Sequence, residues 1–173
     1  MGAGGGQSRR QVASGRGGYL TDSDPLAQAR ATCLRFLARR DYCQSELLEK
    51  LRGRGCDEAL ARAVIDQLAE EGAQSDRRYL EGFVRGRVAK GYGEARIRQE
   101  LRCKGLDPEE AAAALREYDW DELLHEVYRK RFGRSTAASP KERAAQMRFM
   151  QQRGFSASAV SRLLRRMGRD EDD

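Results

Sequence analysis

Three short segments of the chain repeat one pattern, in which a glycine interrupts an apolar stripe at helical spacing. The glycines are Gly55, Gly105 and Gly154, and they are separated by 50 and 49 residues. The residues four positions before and one position after each glycine are apolar or cysteine: Leu51 and Cys56, Leu101 and Leu106, Met150 and Phe155. A regular interval of this length indicates tandem repeats of one small module.

A capping residue comes two positions after each glycine. Asp57, Asp107 and Ser156 carry side-chain oxygens that can accept hydrogen bonds from the free amides at the start of a helix. The glycine before the cap can adopt the left-handed conformation in which a preceding helix ends, because it has no Cβ. Each repeat is therefore predicted to contain a helix, a glycine stop, a cap and a second helix.

Apolar residues around these stops recur at intervals of three and four, as they do in amphipathic helices. In the first copy, Leu47 and Leu51 precede the glycine, and Leu60, Val64 and Leu68 follow it. Another segment with an apolar stripe comes before each pair, and no stretch alternates with period two for long enough to predict a strand. The sequence therefore predicts an all-α fold, an elongated tandem array of three three-helix repeats.

The predicted boundaries follow from this period. They are a disordered Gly/Arg tail at 1–18, repeat 1 at 19–72, repeat 2 at 73–119, repeat 3 at 120–168 and an acidic tail at 169–173. The connection at 133–140, with the sequence GRSTAASP, is the loosest of the array. The first helix of repeat 3 is therefore expected to be less tightly tied to the other two.

The composition is typical of a soluble helical protein with large solvated faces, at 39% hydrophobic, 35% charged and 7% aromatic residues. No apolar run approaches the roughly 20 residues that cross a bilayer, and the N-terminus lacks the apolar segment of a secretory signal. The four cysteines form no CxxC pair and are expected to be core or half-buried residues: Cys33, Cys43, Cys56 and Cys103. With one histidine, His125, no zinc site or other cofactor is predicted, and a reducing cytoplasm is the expected location.

An enzyme is not predicted. The chain contains no P-loop, dinucleotide fingerprint, HExxH motif or nucleophile elbow. His125 falls in a helical segment near Glu122 and Glu126, where a surface or interface histidine is a better interpretation than a general base. Gly91 and Gly93, in KGYGEARI, lack the strand that precedes a phosphate loop, so a turn between helices is predicted there.

Charge distinguishes the repeats. Residues 76–104 hold nine basic and four acidic residues, whereas residues 19–75 hold eight basic and ten acidic residues. The middle repeat is therefore predicted to be the electropositive part of the ordered chain, with a partner that is acidic protein, nucleic acid or both. The predicted partner-binding residues are Arg77, Arg78, Arg85, Arg87, Lys90, Arg96, Arg98, Arg102 and Lys104. Arg87 falls inside the apolar arc of its helix, so it is expected either to extend its charge to solvent or to line a groove.

The order of motifs in the middle repeat resembles the central signature of the RecX family of bacterial regulatory proteins. The segment SDRRYLEGFVRGRVAKGYGEARIRQELRCKGLDPE contains an aromatic helix, a Gly-Tyr-Gly turn, an Ile-x-x-x-Leu pair, a Lys-Gly stop and a helix cap, in that order. The segment RRDYCQSELLEKLRGRGCDEALARAVIDQL is similar to the module before it. The resemblance extends from about Leu26 to Gly168, and neither the Gly-rich N-terminus nor the acidic C-terminus carries a motif of the family.

The resemblance implies a non-catalytic modulator, usually an inhibitor, of the recombinase RecA, acting in recombination, DNA repair and the SOS response. Similar proteins are built from tandem three-helix repeats and bind in the helical groove of the RecA filament on single-stranded DNA. They impede filament growth, ATP hydrolysis, strand exchange and co-protease activity. The RecA filament is thus the expected partner, single-stranded DNA is a second candidate, and the chain is expected to act as a monomer away from membranes. Capping of a filament end and coating of its groove are both consistent with the sequence.

Two other functions remain open at this point. An autonomous nucleic-acid-binding helical protein is the main alternative, because three-helix units also form helix-turn-helix domains. Such a protein should concentrate basic and amide side chains on one recognition helix of each unit, but the last helix of repeat 2, PEEAAAALREY, has one arginine and four acids, counting Asp107 before it. A helical scaffold for some other protein is the third candidate, and a pull-down from cell extract would distinguish it from the first two.

Overall fold

The structure, a computed structural model, describes residues 24–133 and 139–170, without the side chains of residues 169 and 170. This part of the chain is all-helical, as predicted, with nine α-helices and no strand. The helices are α1 (Pro25–Leu37), α2 (Gln44–Arg52), α3 (Glu58–Glu70), α4 (Asp76–Ala89), α5 (Glu94–Cys103), α6 (Pro108–Leu115), α7 (Trp120–Phe132), α8 (Pro140–Gln152) and α9 (Ala157–Asp170). They form three consecutive units, α1–α3, α4–α6 and α7–α9, which we refer to as the first, second and third units. The predicted Gly/Arg tail and the last three residues of the predicted acidic tail lie outside the described residues.

The glycine stops and caps predicted from the sequence are confirmed in every unit. The φ angle is 79° at Gly55, 70° at Gly105 and 96° at Gly154. These values lie in the left-handed region, where a Cβ would be strained. The cap oxygens accept backbone amides of α3, α6 and α9, at 2.9 and 3.1 Å for Asp57, 2.8 Å for both bonds of Asp107, and 3.2 Å for Ser156. Each side-chain cap stabilises its helix by about 1 kcal/mol. Since each cap depends only on residues next to it in the chain, the local sequence largely determines where these helices begin.

Each unit has its own apolar core. Leucines and β-branched residues of the predicted stripes form most of these cores: Leu47, Leu51, Val64, Ile65 and Leu68 in the first unit, Leu80, Val84, Ile97, Leu101 and Leu115 in the second, and Leu124, Val160, Leu163 and Leu164 in the third. Full burial of one such side chain stabilises the folded state by roughly 1.5–3 kcal/mol, so each core contributes several times the stability of one cap.

Helix α7 is packed into the third unit despite the long connection that follows it. Its Leu124 and Tyr128 are 2% and 1% exposed within the core of that unit. The Tyr128 hydroxyl also donates a hydrogen bond to Gln146 Oε1 of α8 at 3.0 Å. Helix α7 nevertheless contacts α8 and α9 less extensively than these two helices contact each other, and less extensively than α1 and α4 contact the other helices of their units. The looser attachment expected from the sequence of residues 133–140 is therefore confirmed.

The three middle helices differ in how they begin. The N-caps of α2 and α5, Cys43 and Gly93, make no side-chain capping bond. Helix α8 instead has its own cap, because Ser139 Oγ accepts the amide of Glu142 at 3.2 Å and Pro140 needs no partner for a missing N–H. The first backbone amides of α2 and α5 therefore need hydrogen-bond acceptors from outside their own unit. Helix α8 does not, because Ser139 caps it.

Candidate functional site

The units meet at two junctions with a common arrangement. In each, the first turn of a middle helix lies against the glycine stop of the following unit. At the first junction, Ser45 Oγ of α2 donates to the carbonyl of Lys104 at 2.7 Å. At the second junction, the amide of Gly93, before α5, donates to the carbonyl of Arg153 at 2.8 Å. These contacts hold neighbouring units together, so they also determine the shape of any surface that extends over two units.

Side chains complete the first junction. Gln74 is only 2% exposed, and its Nε2 donates to the carbonyl of Tyr42 at 3.1 Å and to Asp76 Oδ1 at 2.6 Å. The same Asp76 oxygen accepts the amide of Gln44 at 2.9 Å and so replaces the cap that α2 lacks. Cys43 is fully buried in the core of the second unit. The first two units are thus joined by a buried polar network and by a shared apolar residue.

Glu46 lies beside this network among three donors. Its carboxylate accepts Lys104 Nζ at 2.6 Å, the Tyr79 hydroxyl at 3.1 Å and Arg40 Nη1 at 3.3 Å. Burial raises the pKa of Glu46, but the hydrogen bonds and charges of these partners outweigh burial, and the pKa lies below its ordinary value. Burial lowers the pKa of Lys104, but the bonds to Glu46 and Tyr79 more than offset this effect, and the pKa is raised. Both groups are therefore charged over the whole neutral range.

An open groove of about 530 Å³, here the first groove, runs beside this junction. Its lining residues are Arg40, Asp41, Glu46, Tyr79, Gly82, Phe83, Gly86, Arg87, Lys90 and Lys104. The rings of Tyr79 and Phe83 stack at 5.8 Å between centroids. Arg87 lines this groove, which is one of the two outcomes expected for it, and its Nε lies 2.7 Å from Glu100. Most of the cationic groups here already have carboxylate partners, so the first groove has little free positive charge.

Backbone atoms form most of the second junction. Besides the Gly93 bond, the amide of Ala95 donates to the carbonyl of Gly154 at 3.2 Å. The two glycines touch, since a Cβ on Gly93 would lie 2.6 Å from the carbonyl carbon of Gly154. Arg96 Nη1 donates to the carbonyl of Gln152 at 3.1 Å. The Gly-Tyr-Gly turn, which was predicted to connect two helices, is therefore also the contact between the second and third units.

A second groove, of about 580 Å³, opens at this junction between α4, α7 and α8. Its apolar lining consists mainly of Val88, Leu123, Val127 and Phe149. Its charged lining consists of Lys90, Lys130, Arg131, Arg153 and Glu126. Lys90 was among the predicted partner-binding residues, whereas the three cations from the third unit were not. The sequence signal that could have found Lys130 and Arg131 is the basic run RKRFGR at 129–134, whereas Arg153 lies outside any such run.

The nine predicted partner-binding residues occupy several surfaces of the second unit. Arg78, Arg96 and Lys104 bind groups of the neighbouring units, at Asp41, at the Gln152 carbonyl and at Glu46. Arg77, Arg87 and Arg98 pair with carboxylates of their own unit, Glu81, Glu100 and Glu94. Within residues 24–133 and 139–170, the remaining three have no carboxylate partner: Arg85, Lys90 and Arg102. About a third of the predicted residues are therefore free to form ion pairs with a partner.

The distribution of charge requires a correction. Counted over the whole predicted repeat, residues 73–119 hold ten basic and nine acidic residues, because the acids of α6 and its flanks offset the arginines of α4 and α5. Residues 120–168 hold eleven basic and four acidic residues. The prediction that the middle repeat is the electropositive part was therefore wrong, since the third repeat has the largest excess of positive charge.

Groups for metal binding or nucleophilic chemistry do not cluster. Among the described residues, no set of three or more His, Cys, Asp or Glu side chains could hold a metal ion. Burial raises the pKa of the Cys33 thiol to about 11, so this cysteine is unreactive. Cys103 is exposed rather than half-buried as predicted, because it lies on the side of α5 opposite the buried Leu101. No helix within the described ranges is long and apolar enough to cross a bilayer.

Comparison with protein-family models gives three matches in chain order. Residues 29–68 match the first three-helix domain of RecX, residues 75–115 match the second, and residues 117–164 match the third. Each match falls within one structural unit.

Individual proteins agree with these matches. The chain is 44% identical over 152 residues to the regulatory protein RecX of Pseudomonas putida strain GB-1, covering 87% of this chain and 96% of the relative. It is 43% identical over 150 residues to that of Pseudomonas fluorescens strain Pf-5, covering 86% and 97%. Among solved structures, a crystal structure of a regulatory protein RecX has a TM-score of 0.70 at 24% identity, covering 82% of this chain and 72% of that one. RecX from Lactobacillus salivarius has a TM-score of 0.68 at 22% identity, covering 84% and 97%. The two structures support the fold, and the sequence matches show that this chain belongs to the RecX family of non-catalytic regulatory proteins.

Proposed function

We propose that this chain binds the filament of the recombinase RecA on single-stranded DNA and inhibits its growth, ATP hydrolysis, strand exchange and co-protease activity. Membership of the RecX family supports this proposal, and so does a tandem array whose units are joined end to end over more than one hundred residues. Such an array offers a long surface with shallow grooves, which suits an extended partner better than a small substrate.

The observation that carries the proposal is the set of cations that the fold leaves unpaired. Arg85, Lys90, Arg102, Lys130 and Arg131 have no carboxylate partner within the described residues. Exposed charges that take no part in folding remain free to meet an acidic protein surface or phosphates. The ion-paired arginines Arg77 and Arg98 contribute less, because their charges are partly satisfied within their own helices.

The test is the rate of RecA ATP hydrolysis on single-stranded DNA, titrated with this chain. Inhibition that saturates near one array per several recombinase subunits is expected. Charge reversal of Arg98 and Arg102 should leave the fold intact, because the Arg98–Glu94 pair is an exposed contact within one helix. This double variant should inhibit severalfold less well and with a weaker salt dependence. An unchanged hydrolysis rate at saturating parent chain would refute the proposal.

A truncated chain that starts at Tyr19 separates the array from the Gly/Arg tail. It should retain most of the inhibition, because ordered charges need not lose chain entropy on binding. Parent-like inhibition by the double variant, together with loss of inhibition in the truncated chain, would place the binding site in the tail instead.

One observation favours direct nucleic-acid binding as a second candidate function. The last helix of the third unit, α9, carries Arg162, Arg165 and Arg166 on its exposed side, whereas the charged residues of α6 in the second unit are both acidic. A basic third helix is the arrangement expected of a recognition helix. Reversal of Arg165 and Arg166 should abolish binding to duplex DNA if α9 is that helix, and should leave it unchanged if binding depends on the second unit.

The proposed setting is the cytoplasm, with the chain acting as a monomer. Helix α8 begins with its own Ser139 cap and so needs no further unit. Sedimentation at increasing concentration should give one species, and a concentration-dependent increase in mass would contradict the monomer.

A further inference from the structure

The second groove combines an apolar floor with a basic rim. Val88 comes from α4, Leu123 and Val127 from α7, and Phe149 from α8, and all four are half-buried rather than sealed in a core. Their exposed parts face one open space of about 580 Å³. This size lies within the roughly 300–1,000 Å³ of sites that hold small ligands, so one large side chain of a partner has room there.

The cations around the groove are not neutralised by carboxylates. Within the part of the chain that the structure describes, Lys90, Lys130, Arg131 and Arg153 take part in no ion pair. Arg153 Nη1 donates to the carbonyl of Lys90 at 2.9 Å, so its guanidinium is held in place but keeps its full charge. The one acid in the lining is Glu126, and it is exposed.

Helix ends reduce this positive charge but do not cancel it. The C-terminal ends of α4, α7 and α8 border the groove, which also extends along α7 to Leu123 in its first turn. Each such end carries about half a negative elementary charge. Together with Glu126, these three ends oppose four cations with about 2.5 negative charges, which leaves an excess of about 1.5. The helix dipoles therefore compensate part of the positive charge of the groove, and the remaining positive charge is available to a ligand.

From these features we infer that the second groove binds an acidic peptide segment that contains one large apolar side chain. The apolar side chain occupies the floor between Leu123, Val127 and Phe149, and carboxylates on either side of it meet Lys130, Arg131 and Lys90. The guanidinium of Arg131 lies 5.5 Å from the centre of the Phe149 ring, so a carboxylate and an apolar group can bind side by side.

A phosphodiester chain fits this groove less well. Nucleic-acid backbones bind mainly through charge neutralisation, which an excess of about 1.5 charges supports weakly. The amides that could cradle a phosphate are used within the protein, since those of Gly91, Tyr92 and Gly93 donate to the carbonyls of Val88, Arg87 and Arg153. The floor would remain empty beneath a sugar–phosphate chain. The peptide site deepens the proposed function, because it names a region of the array that an acidic segment of the filament would occupy.

The test measures binding of a fluorescein-labelled peptide with one phenylalanine flanked on each side by two glutamates and an aspartate. Fluorescence anisotropy is read at about 0.15 M salt, where long-range attraction is screened. The groove variant carries Lys130→Glu and Arg131→Glu. The matched control carries Lys141→Glu and Arg143→Glu, which are exposed residues of the same unit outside the groove and change the net charge equally. A second peptide has serine in place of phenylalanine, and labelled oligothymidylate is the nucleic-acid probe.

The phenylalanine peptide should bind the parent and the control variant alike, and should bind the groove variant about tenfold more weakly or worse. The serine peptide should bind the parent at least severalfold more weakly than the phenylalanine peptide. Equal losses in the two variants, or equal binding of the two peptides, would overturn the inference, because the attraction would then be nonspecific. Tighter, groove-dependent binding of oligothymidylate would also overturn it. No recombinase is present, so a failure here leaves the hydrolysis test of the proposed function unaffected.

Discussion

Substitution of Gly93 by alanine tests whether the contact between two glycines fixes the second junction. The φ angle of Gly93 is −81°, so alanine meets no backbone strain there and any effect must come from the neighbour. The added Cβ would lie 2.6 Å from both the carbonyl carbon and the oxygen of Gly154, and 2.8 Å from the amide nitrogen of Phe155. All three atoms belong to the backbone, so no side-chain rotation can relieve the clash.

The geometry gives the size of the effect. Relief to an ordinary contact of 3.4 Å requires the two backbones to separate by about 0.8 Å. That movement would lengthen the junction hydrogen bonds, now 2.8 and 3.2 Å, beyond bonding distance. Loss of two such bonds costs about 1–3 kcal/mol, which is also the usual cost of overpacking. A loss of 2 kcal/mol would lower Tm by about 4–8 °C for a chain of this length.

The assay is thermal unfolding followed by circular dichroism, with small-angle scattering to detect a change in the angle between units. Gly86→Ala is the matched control, because Gly86 lies inside α4 with no atom within 4 Å of an added Cβ, and alanine should stabilise that helix by about 0.5–1 kcal/mol. Gly93→Ala should lower Tm or separate the melting of the third unit, whereas Gly86→Ala should raise Tm. A Gly93→Ala chain that melts and scatters as the parent does would show that the glycine contact does not determine the junction.

Three further predictions concern single residues. Glu46→Gln should destabilise the chain by about 1 kcal/mol at pH 7. Because the pKa of Glu46 is lowered on folding, this difference should begin to shrink as the pH falls through about 4, the unfolded value, and should disappear only below the lowered pKa of the folded chain; urea unfolding at several pH values would check it. Gly105→Val should lower Tm through strain at a φ of 70°, at a cost of about 1–2 kcal/mol, and an unchanged melt would exclude that strain. Cys103 should be alkylated rapidly in the native chain while Cys33 is protected until unfolding, since Cys33 is buried with a pKa of about 11, and equal rates by mass spectrometry would contradict this.

The sequence predicted the features that depend on a few neighbouring residues. Glycine stops, caps and apolar stripes involve groups within about one helical turn, so their patterns indicate both the three-helix unit and its repetition. Asp107 and Gly105 illustrate this, because each does in the structure what its local sequence requires. The family signature in the second unit has the same origin, as it is largely a sequence of stops and caps.

Features that depend on contact between units could not be predicted in this way. Arg78, Arg96 and Lys104 resemble other basic residues in the sequence, yet each binds a neighbouring unit. Cys43 occupies the core of the unit that follows its own. Lys130 and Arg131 were not predicted, because residues 76–104 stand out as basic beside residues 19–75, although residues 120–168 have a still larger excess of positive charge. Their basic run is visible in the sequence, but its position beside an apolar floor depends on how α7 and α8 pack against α4.

Positive charge is distributed unevenly along the array, and this affects how the chain would approach an acidic filament. Net charge rises along the array, from −2 over residues 19–72 to +1 over residues 73–119 and +7 over residues 120–168. Such a gradient gives the array an electrostatic polarity, and steering of this kind acts mainly on the rate of association. The third unit should therefore reach the filament first, with the second groove near the point of contact. Reversal of Lys130 and Arg131 should then slow association more than reversal of Arg98 and Arg102, with smaller effects on dissociation. Stopped-flow binding to the recombinase filament at two salt concentrations measures both rates, and equal association rates for the two variants would exclude an approach led by the third unit.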